Sequence, residues 1–145
     1  MPPFYNRTMK HSCTLRVRTY ECDAYGHVNN AVYLNYLEYA RHEYLRAVGF
    51  NYLEVIQLGY GLYVARIEID YKKSAYLDDE LTIISWPEKK GAVSGVMAQE
   101  IYRGQDLICQ ARVHWAFVDS QGRPTKIPPQ WDLPGLKPEK QQDNS

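Results

Sequence analysis

Residues 23–49 of the chain read DAYGHVNNAVYLNYLEYARHEYLRAVG, and this stretch decides the fold. Within it, apolar and aromatic residues recur at the i, i+3, i+4, i+7 spacing of one helical face. These positions are Tyr33, Tyr36, Leu37, Ala40, Tyr44, Ala47 and Val48. Asn29 or Asn30 suits an N-cap and Gly49 suits a C-terminal stop, so the pattern predicts a helix over residues 30–48.

The eight residues from Asp23 to Asn30, which lead into this helix, combine groups that favour chemistry. The first turn of a helix presents free N–H groups and a partial positive charge, which stabilise an oxyanion. Asp23 lies seven residues before Asn30, and a turn around Gly26 would bring its carboxylate back to the helix start. A carboxylate beside oriented amide donors is the minimum equipment for attack on an activated acyl group.

Each of these residues also has an ordinary structural explanation. Aspartate is common both in turns and in catalytic sites, so Asp23 could be a turn or capping residue alone. Gly26 serves the backbone, through a positive φ or a close approach, whatever the function. His27 alone is more often a hydrogen-bonded structural residue. Asn29 and Asn30 are helix caps first, so any function comes through the amides they help to order.

Length and composition narrow the class of protein. The 145 residues suit one domain, and 17 basic against 17 acidic residues give no general attraction to nucleic acid or anionic membranes. Apolar runs are too short to span a bilayer, and no apolar signal core follows the N-terminus. Cys13, Cys22 and Cys109 show no paired spacing, which favours free thiols and a cytoplasmic location.

The rest of the chain changes from helical to alternating periodicity. We expect a loose arm at 1–10, one domain over 11–122 and a Pro-rich polar tail with little to bury at 123–145. A strand precedes the Asp23 loop, a second short helix follows the first, and four more strands complete the domain. Their expected ranges are 11–20 for the first strand, 51–58 for the short helix, and 62–73, 80–90, 92–103 and 107–119 for the later strands.

This order of elements indicates an α+β fold with an antiparallel meander that curls over one helix. An open sheet of this kind leaves edge strands, which a second subunit often covers. We therefore expect at least a homodimer, with a homotetramer as the larger possibility.

The run YECDAYGHVNNAVYLNYLEYAR resembles the hot-dog-fold acyl-thioester hydrolases, in the branch of 4-hydroxybenzoyl-CoA and long-chain acyl-CoA thioesterases. The similarity resumes at IEIDYKKSAYLDDELTI. The resemblance implies a curved antiparallel sheet of five to six strands wrapped around one long central helix. It also implies hydrolysis of acyl-CoA to free acid and CoA, without cofactor or metal.

By the same resemblance, Asp23 matches the family carboxylate, which is general base or nucleophile, and the Asn30 N–H matches the oxyanion donor. His27 matches a histidine that orients the carboxylate or handles a proton. We expect Gly26, Asn29 and Tyr33 to contribute to substrate binding. A CoA substrate carries phosphates, for which the sheet half offers Lys72, Lys73, Lys89, Lys90 and Arg103, although lysines at strand ends are mostly just solvated.

Other templates do not fit. Ser94 is not in a G-x-S-x-G elbow, and His42-Glu43 lacks the second histidine of a zinc motif. Two alternatives stay open at this point. The protein is either an enzyme or a hot-dog protein that binds acyl-CoA or acyl carrier protein without turnover, and an enzyme acts on either of these two carriers. Tyr33, Leu37 and Tyr63 line an acyl tunnel or belong to the core.

Overall fold

A computed structural model of the chain describes residues 10–138. The expected N-terminal arm, apart from Lys10, and the last seven residues of the expected tail lie outside this range. The helices are α1 (Val32–Ala47) and α2 (Tyr52–Gln57). The strands are β1 (His11–Arg16), β2 (Gly61–Tyr71), β3 (Glu80–Lys90), β4 (Ser94–Arg103) and β5 (Asp106–Val118). No helix within residues 10–138 is long and apolar enough to cross a bilayer.

The five strands form one antiparallel sheet in the order β1-β3-β4-β5-β2. The predicted α+β class, with one long helix and five strands, is confirmed. The predicted meander holds for β3, β4 and β5 but not for β2, which pairs with β5 at the far edge. The reason is the connection 72–79, which crosses the start of α1 instead of forming a tight hairpin.

The first strand is shorter than the alternation predicts. β1 ends at Arg16, and the chain then turns through a 3-10 helix at Thr19–Glu21. The N–H of Val17 donates to the carbonyl of Asp79 at 2.9 Å, so this corner is tied to the start of β3. The Asp23 loop therefore leaves the sheet at the edge where β1 and β3 meet.

Helix α1 packs against the sheet through the face that the periodicity predicts. Tyr33, Tyr36, Leu37, Ala40 and Tyr44 are buried, and β1 and β3 are the strands nearest to the helix. A fully buried leucine such as Leu37 contributes roughly 1.5–3 kcal/mol relative to an exposed one. The fit of this face fixes the position of the helix start relative to the sheet.

The described part of the C-terminal segment, residues 123–138, is packed on the body. Ile127, Trp131 and Leu136 are buried beside Phe50 and Phe117. Its polar, Pro-rich composition hides these three anchors, so it buries more than expected. The domain limits themselves stay a prediction.

Candidate active site

The Asp23 loop is a tight turn held by its own backbone. The Asp23 N–H donates to the His27 carbonyl at 2.7 Å, and the Gly26 N–H donates to the Asp23 carbonyl at 3.1 Å. Gly26 has φ +80°, the left-handed region that favours glycine, as the sequence predicts. The loop therefore returns to within hydrogen-bonding distance of its start only four residues after Asp23.

The carboxylate of Asp23 is exposed, and only one of its oxygens is engaged. Oδ1 accepts the N–H of Tyr25 at 2.9 Å and the N–H of His27 at 3.1 Å. Within residues 10–138 no group donates to Oδ2. The residue thus performs the expected turn role and also presents one fixed, free oxygen to solvent.

The helix start is ordered by Asn29. Its side-chain Oδ1 accepts the N–H of Ala31 at 2.9 Å, and its carbonyl accepts the N–H of Val32 at 2.9 Å. The helix begins at Val32 with Ala31 as its cap, so the capping asparagine lies two residues earlier than a standard N-cap would.

The Asn30 N–H lies in the same peptide group as the Asn29 carbonyl, which accepts the N–H of Val32. The Asn30 N–H itself donates to no group in the described chain. Its direction is fixed while its hydrogen-bonding capacity is free. The next peptide is held at both ends, because the Asn30 carbonyl also accepts the hydroxyl of Tyr71 at 2.9 Å. A backbone donor of this kind, at a helix N-terminus, is suited to an oxyanion.

The connection 72–79 closes the other side of the site. The Val28 N–H donates to the Ala75 carbonyl at 2.9 Å, and the Ala75 N–H donates to the hydroxyl of Tyr33 at 2.9 Å. The His27 ring packs edge-on against Tyr76 with centroids 4.9 Å apart. Since the His27 ring makes no hydrogen bond in the described chain, it is the backbone of this residue that orients Asp23.

These segments enclose an open pocket of about 370 Å³. It is lined by Asp23, His27, Val28, Asn30, Tyr33, Tyr71, Lys72, Lys73 and Ser74. Six residues singled out from the sequence therefore share one concavity. Gly26 and Asn29 shape the loop around it, whereas Leu37 is core and Tyr63 is 57% exposed on β2.

Of the five candidate cations, Lys72, Lys73 and Arg103 lie at or near the pocket, whereas Lys89 and Lys90 lie far from it. Lys72 is exposed, and its ammonium has no partner within the described residues, whereas Lys73 lies 3.2 Å from Asp106. Arg103 is close to the pocket but holds the connection 72–79, since it donates to Asp79 at 2.8 Å and to the Ser74 carbonyl at 3.0 Å.

Lys89 and Lys90 lie at the opposite end of β3, roughly 30 Å along the strand from the corner that carries the Asp23 loop. Lys90 is almost fully buried there and lies 3.0 Å from Asp132. Within one chain these two lysines do not reach the pocket.

A buried acid beneath the loop was not singled out from the sequence. Glu21 is 8% exposed, and its carboxylate accepts the hydroxyl of Tyr36 at 2.9 Å and two N–H groups of Arg18 at 2.8 and 2.7 Å. Burial alone would raise the pKa of Glu21, but these hydrogen bonds and the Arg18 charge outweigh burial and lower it. The signal was present as Arg18 and Glu21 three residues apart, with Tyr36 on the buried helix face.

No three His, Cys, Asp or Glu residues within 10–138 come together in a way that could hold a metal ion. Asp23 and His27 are the two residues of these types that line the pocket, and Oδ1 of Asp23 already accepts two main-chain N–H groups. What the arrangement offers is a free carboxylate oxygen, a free main-chain donor and one unpaired ammonium.

The chain is similar to proteins that are named as thioesterases. The family model described as Thioesterase-like superfamily matches residues 17–133. A chloroplastic acyl-acyl carrier protein thioesterase of Arabidopsis thaliana is 32% identical over 126 residues, covering 81% of this chain and 63% of that protein. The long-chain acyl-CoA thioesterase FadM of Escherichia coli is 38% identical over 109 residues, covering 72% of this chain and 80% of that protein.

The chain spans 63% and 64% of the length of the two plant relatives it matches. Among solved structures, that of a probable thioesterase from Bartonella henselae has a TM-score of 0.78 at 28% identity, covering 82% of this chain and 99% of that chain. This structural similarity confirms the fold expected from the sequence.

Proposed function

The chain belongs to the thioesterase-like, or hot-dog, superfamily, and on this premise we propose that it hydrolyses acyl-CoA thioesters to a free acid and CoA. The observation that carries the proposal is that Asp23 and Asn30 line one pocket, while Oδ2 of Asp23 and the N–H of Asn30 have no hydrogen-bond partner in the described chain. The names of the relatives, which are thioesterases for acyl-CoA or acyl carrier protein, support the reaction class.

In the proposed reaction the Asn30 N–H donates to the thioester oxygen as negative charge develops on it. Asp23 either removes a proton from the attacking water or attacks the carbonyl carbon itself, and water then cleaves the resulting anhydride. The C–S bond breaks, and the CoA thiolate leaves and takes up a proton. Because a thiol has a pKa of about 8.5, it leaves without a strong acid beside it, so a sparse site suffices.

In this proposal His27 acts through its main-chain N–H, and Asn29 acts through both its main-chain carbonyl and its side-chain oxygen. The His27 N–H fixes Oδ1 of Asp23, and Asn29 fixes the peptide that carries the oxyanion donor. Preorganised donors of this type stabilise the transition state without reorganisation, and loss of one typically costs about 100 to 1,000-fold in turnover.

Lys72 and Lys73 are the cations proposed to meet CoA phosphates, because both line the pocket. Arg103 positions the connection 72–79 instead, and Lys89 and Lys90 have no part in a one-chain site. An acyl carrier protein remains the alternative carrier. It is acidic, so its turnover should fall steeply with salt, whereas turnover of a small CoA substrate should fall less.

A homodimer or homotetramer is part of the proposal. β2 is an edge strand of 11 residues whose outer hydrogen-bonding edge has no partner strand in the described chain. It exposes Tyr63, Val64 and Tyr71 at 57%, 48% and 46%. Pairing with a second copy would cover this edge, and sedimentation equilibrium tests the assembly. A cytoplasmic location is also proposed, supported by three free cysteines.

The decisive experiment measures thiol release from short, long and aromatic acyl-CoAs with wild type, Asp23→Asn and Asp78→Asn. Asp78 is an exposed acid in the neighbouring connection and has φ 69°, which asparagine tolerates, so its variant is a matched control. We expect a loss of at least about 100-fold for Asp23→Asn and near wild-type rates for Asp78→Asn.

Normal turnover in Asp23→Asn would exclude this mechanism. A second candidate, acyl-CoA binding without turnover, is favoured by the exposure of Asp23 and by its engagement in its own turn. It predicts that acyl-CoA raises the melting temperature of the wild type while no thiol is released.

A further inference from the structure

A second, more enclosed pocket lies between the C-terminal half of α1 and the sheet. Its walls are largely apolar, with Leu45, Leu62, Met97, Trp115 and Leu136 among the residues that form them. Helix α1 contributes Glu38, Arg41 and His42. The cavity has a volume of about 90 Å³ and is distinct from the candidate active site, because Arg41 lies roughly 16 Å along the helix from Asn30.

Arg41 is the unusual member of this lining. Its side chain is largely buried, and its one hydrogen bond within the described residues is from Nη1 to Oε1 of Gln99 at 3.1 Å. Gln99 is itself fully buried and held by the Leu37 carbonyl and the Ser85 hydroxyl at 3.0 and 2.9 Å. Gln99 therefore anchors one corner of a guanidinium that has five N–H donors.

The remaining donors of Arg41 have no protein acceptor in residues 10–138. No carboxylate there lies within ion-pair distance of Arg41, although Glu38 lies close enough to raise its pKa against the lowering effect of burial. The unbonded nitrogens of Arg41 are not among the buried atoms without a partner, so they keep contact with solvent and an anion that enters the pocket can reach them. A carboxylate with matching acceptors would replace that water with charge-assisted hydrogen bonds. The pocket thus combines apolar walls with a positive charge whose hydrogen bonds are incomplete.

We propose that this pocket binds a short aliphatic carboxylate, with the acid group on Arg41 and the chain against Leu62, Met97 and Trp115. The volume sets the size of the hydrocarbon part, since a cavity of roughly 150 Å³ accepts the six carbons of benzene and this cavity of about 90 Å³ suits a chain of about four carbons, with the carboxylate outside the apolar walls on Arg41. The guanidinium fork sets the chemistry, because it matches a carboxylate in a bidentate manner. The proposal does not depend on the reaction proposed at the Asp23 loop.

The test follows the three tryptophan indole N–H signals by two-dimensional NMR of the full chain during titration with pentanoate or pentan-1-ol at pH 7. Trp115 lines the pocket, whereas Trp86 lines a concavity that shares no residue with it, so Trp86 is an internal control. We expect pentanoate to shift the Trp115 signal with a dissociation constant in the roughly millimolar range and to bind about tenfold more tightly than the alcohol.

Arg41→Met should remove this preference and leave the alcohol response unchanged. Arg46→Met is the matched control, because Arg46 lies on the same helix, is exposed and pairs with Glu43 outside the pocket. Glu38→Gln should tighten pentanoate binding by removing a competing negative charge.

Equal binding of acid and alcohol to the wild type would overturn the proposal, and this comparison needs no variant to fold. A pentanoate response that persists in Arg41→Met, or no Trp115 response up to about 50 mM ligand, well above the millimolar range expected for so small a molecule, would overturn it as well.

Discussion

The two ends of α1 differ in what holds them. At the N-terminal end, short loops and main-chain hydrogen bonds fix a few polar groups that remain exposed to solvent. At the C-terminal end, Phe50, Phe117, Trp131 and Leu136 pack into an apolar cluster that the chain closes with residues 127–136. The contrast teaches that stability and candidate chemistry are largely separated along one helix, so substitutions should separate them too.

The largest effect is expected at the packed end, from Phe117→Ala. Phe117 is fully buried and stacks on Tyr60 with ring centroids 5.4 Å apart. Removing its ring should lower the free energy of unfolding by about 3–5 kcal/mol, because a cavity forms that the cluster cannot fill. Urea unfolding measures this loss. Tyr25→Ala, at the exposed end, should change stability by less than about 0.5 kcal/mol.

A smaller effect is expected for Glu21→Gln, which removes a buried charge at the N-terminal end of α1. The glutamine cannot accept all three hydrogen bonds from Arg18 and Tyr36, so unfolding free energy at pH 7 should fall by about 2 kcal/mol. Glu80→Gln is the matched control, because Glu80 is exposed at the start of β3. Equal losses in both variants would contradict a special role for Glu21.

The same acid predicts a pH dependence. The folded-state pKa of Glu21 lies below its ordinary value of 4.5, so its contribution is complete above that pH. It is lost as the pH falls through the lowered folded pKa, when the carboxylate takes up a proton in both states. Wild-type stability measured by urea unfolding should therefore decline more steeply below pH 4.5 than that of Glu21→Gln. Parallel declines would show that other acids account for the change.

Gly26→Ala should cost about 1–2 kcal/mol through backbone strain alone. The φ of +80° disfavours a residue with a Cβ, although that atom would meet nothing within 4 Å. Because the turn positions Asp23, we expect turnover to fall along with stability. Gly91→Ala, where φ is not left-handed and the nearest atom is at 3.6 Å, should be near neutral in both assays.

The smallest effect is expected for Lys72→Gln. An exposed cation contributes at most about 1 kcal/mol, so KM for acyl-CoA should rise by no more than about fivefold while kcat and stability stay unchanged. Lys89→Gln, on the far end of β3, should leave KM unaltered. A change in KM for Lys89→Gln but not for Lys72→Gln would place the phosphates at the opposite end of the sheet or across a subunit boundary.

Local patterns foretold much of this molecule. The helix predicted over 30–48 is found at Val32–Ala47, and the strand expected at 80–90 has those limits, because periodicity and turn residues act over a few positions. That Asp23 and Asn30 line one pocket also followed from their spacing around Gly26, whereas the expectation for His27 came from the family resemblance. That β2 pairs with β5 did not, since nothing in either strand encodes which neighbour it takes.

The contacts that the sequence did not reveal share one physical cause, which is that the paired residues lie far apart along the chain. Lys90 was a candidate phosphate ligand, but Asp132, distant along the chain, already neutralises it. Glu21 was not singled out, because Tyr36, whose hydroxyl donates to its carboxylate, lies 15 residues away. Arg103 was a candidate contact for CoA, but its guanidinium is already paired with Asp79.

The free N–H of Asn30 has a consequence for genetic screens of this protein. Since the donor belongs to the main chain, replacing the side chain at this position leaves it in place, and only proline would delete it. An alanine scan would pass over the group most directly proposed to bear the developing charge, and would instead report Asn29, whose side chain keeps the helix start in order.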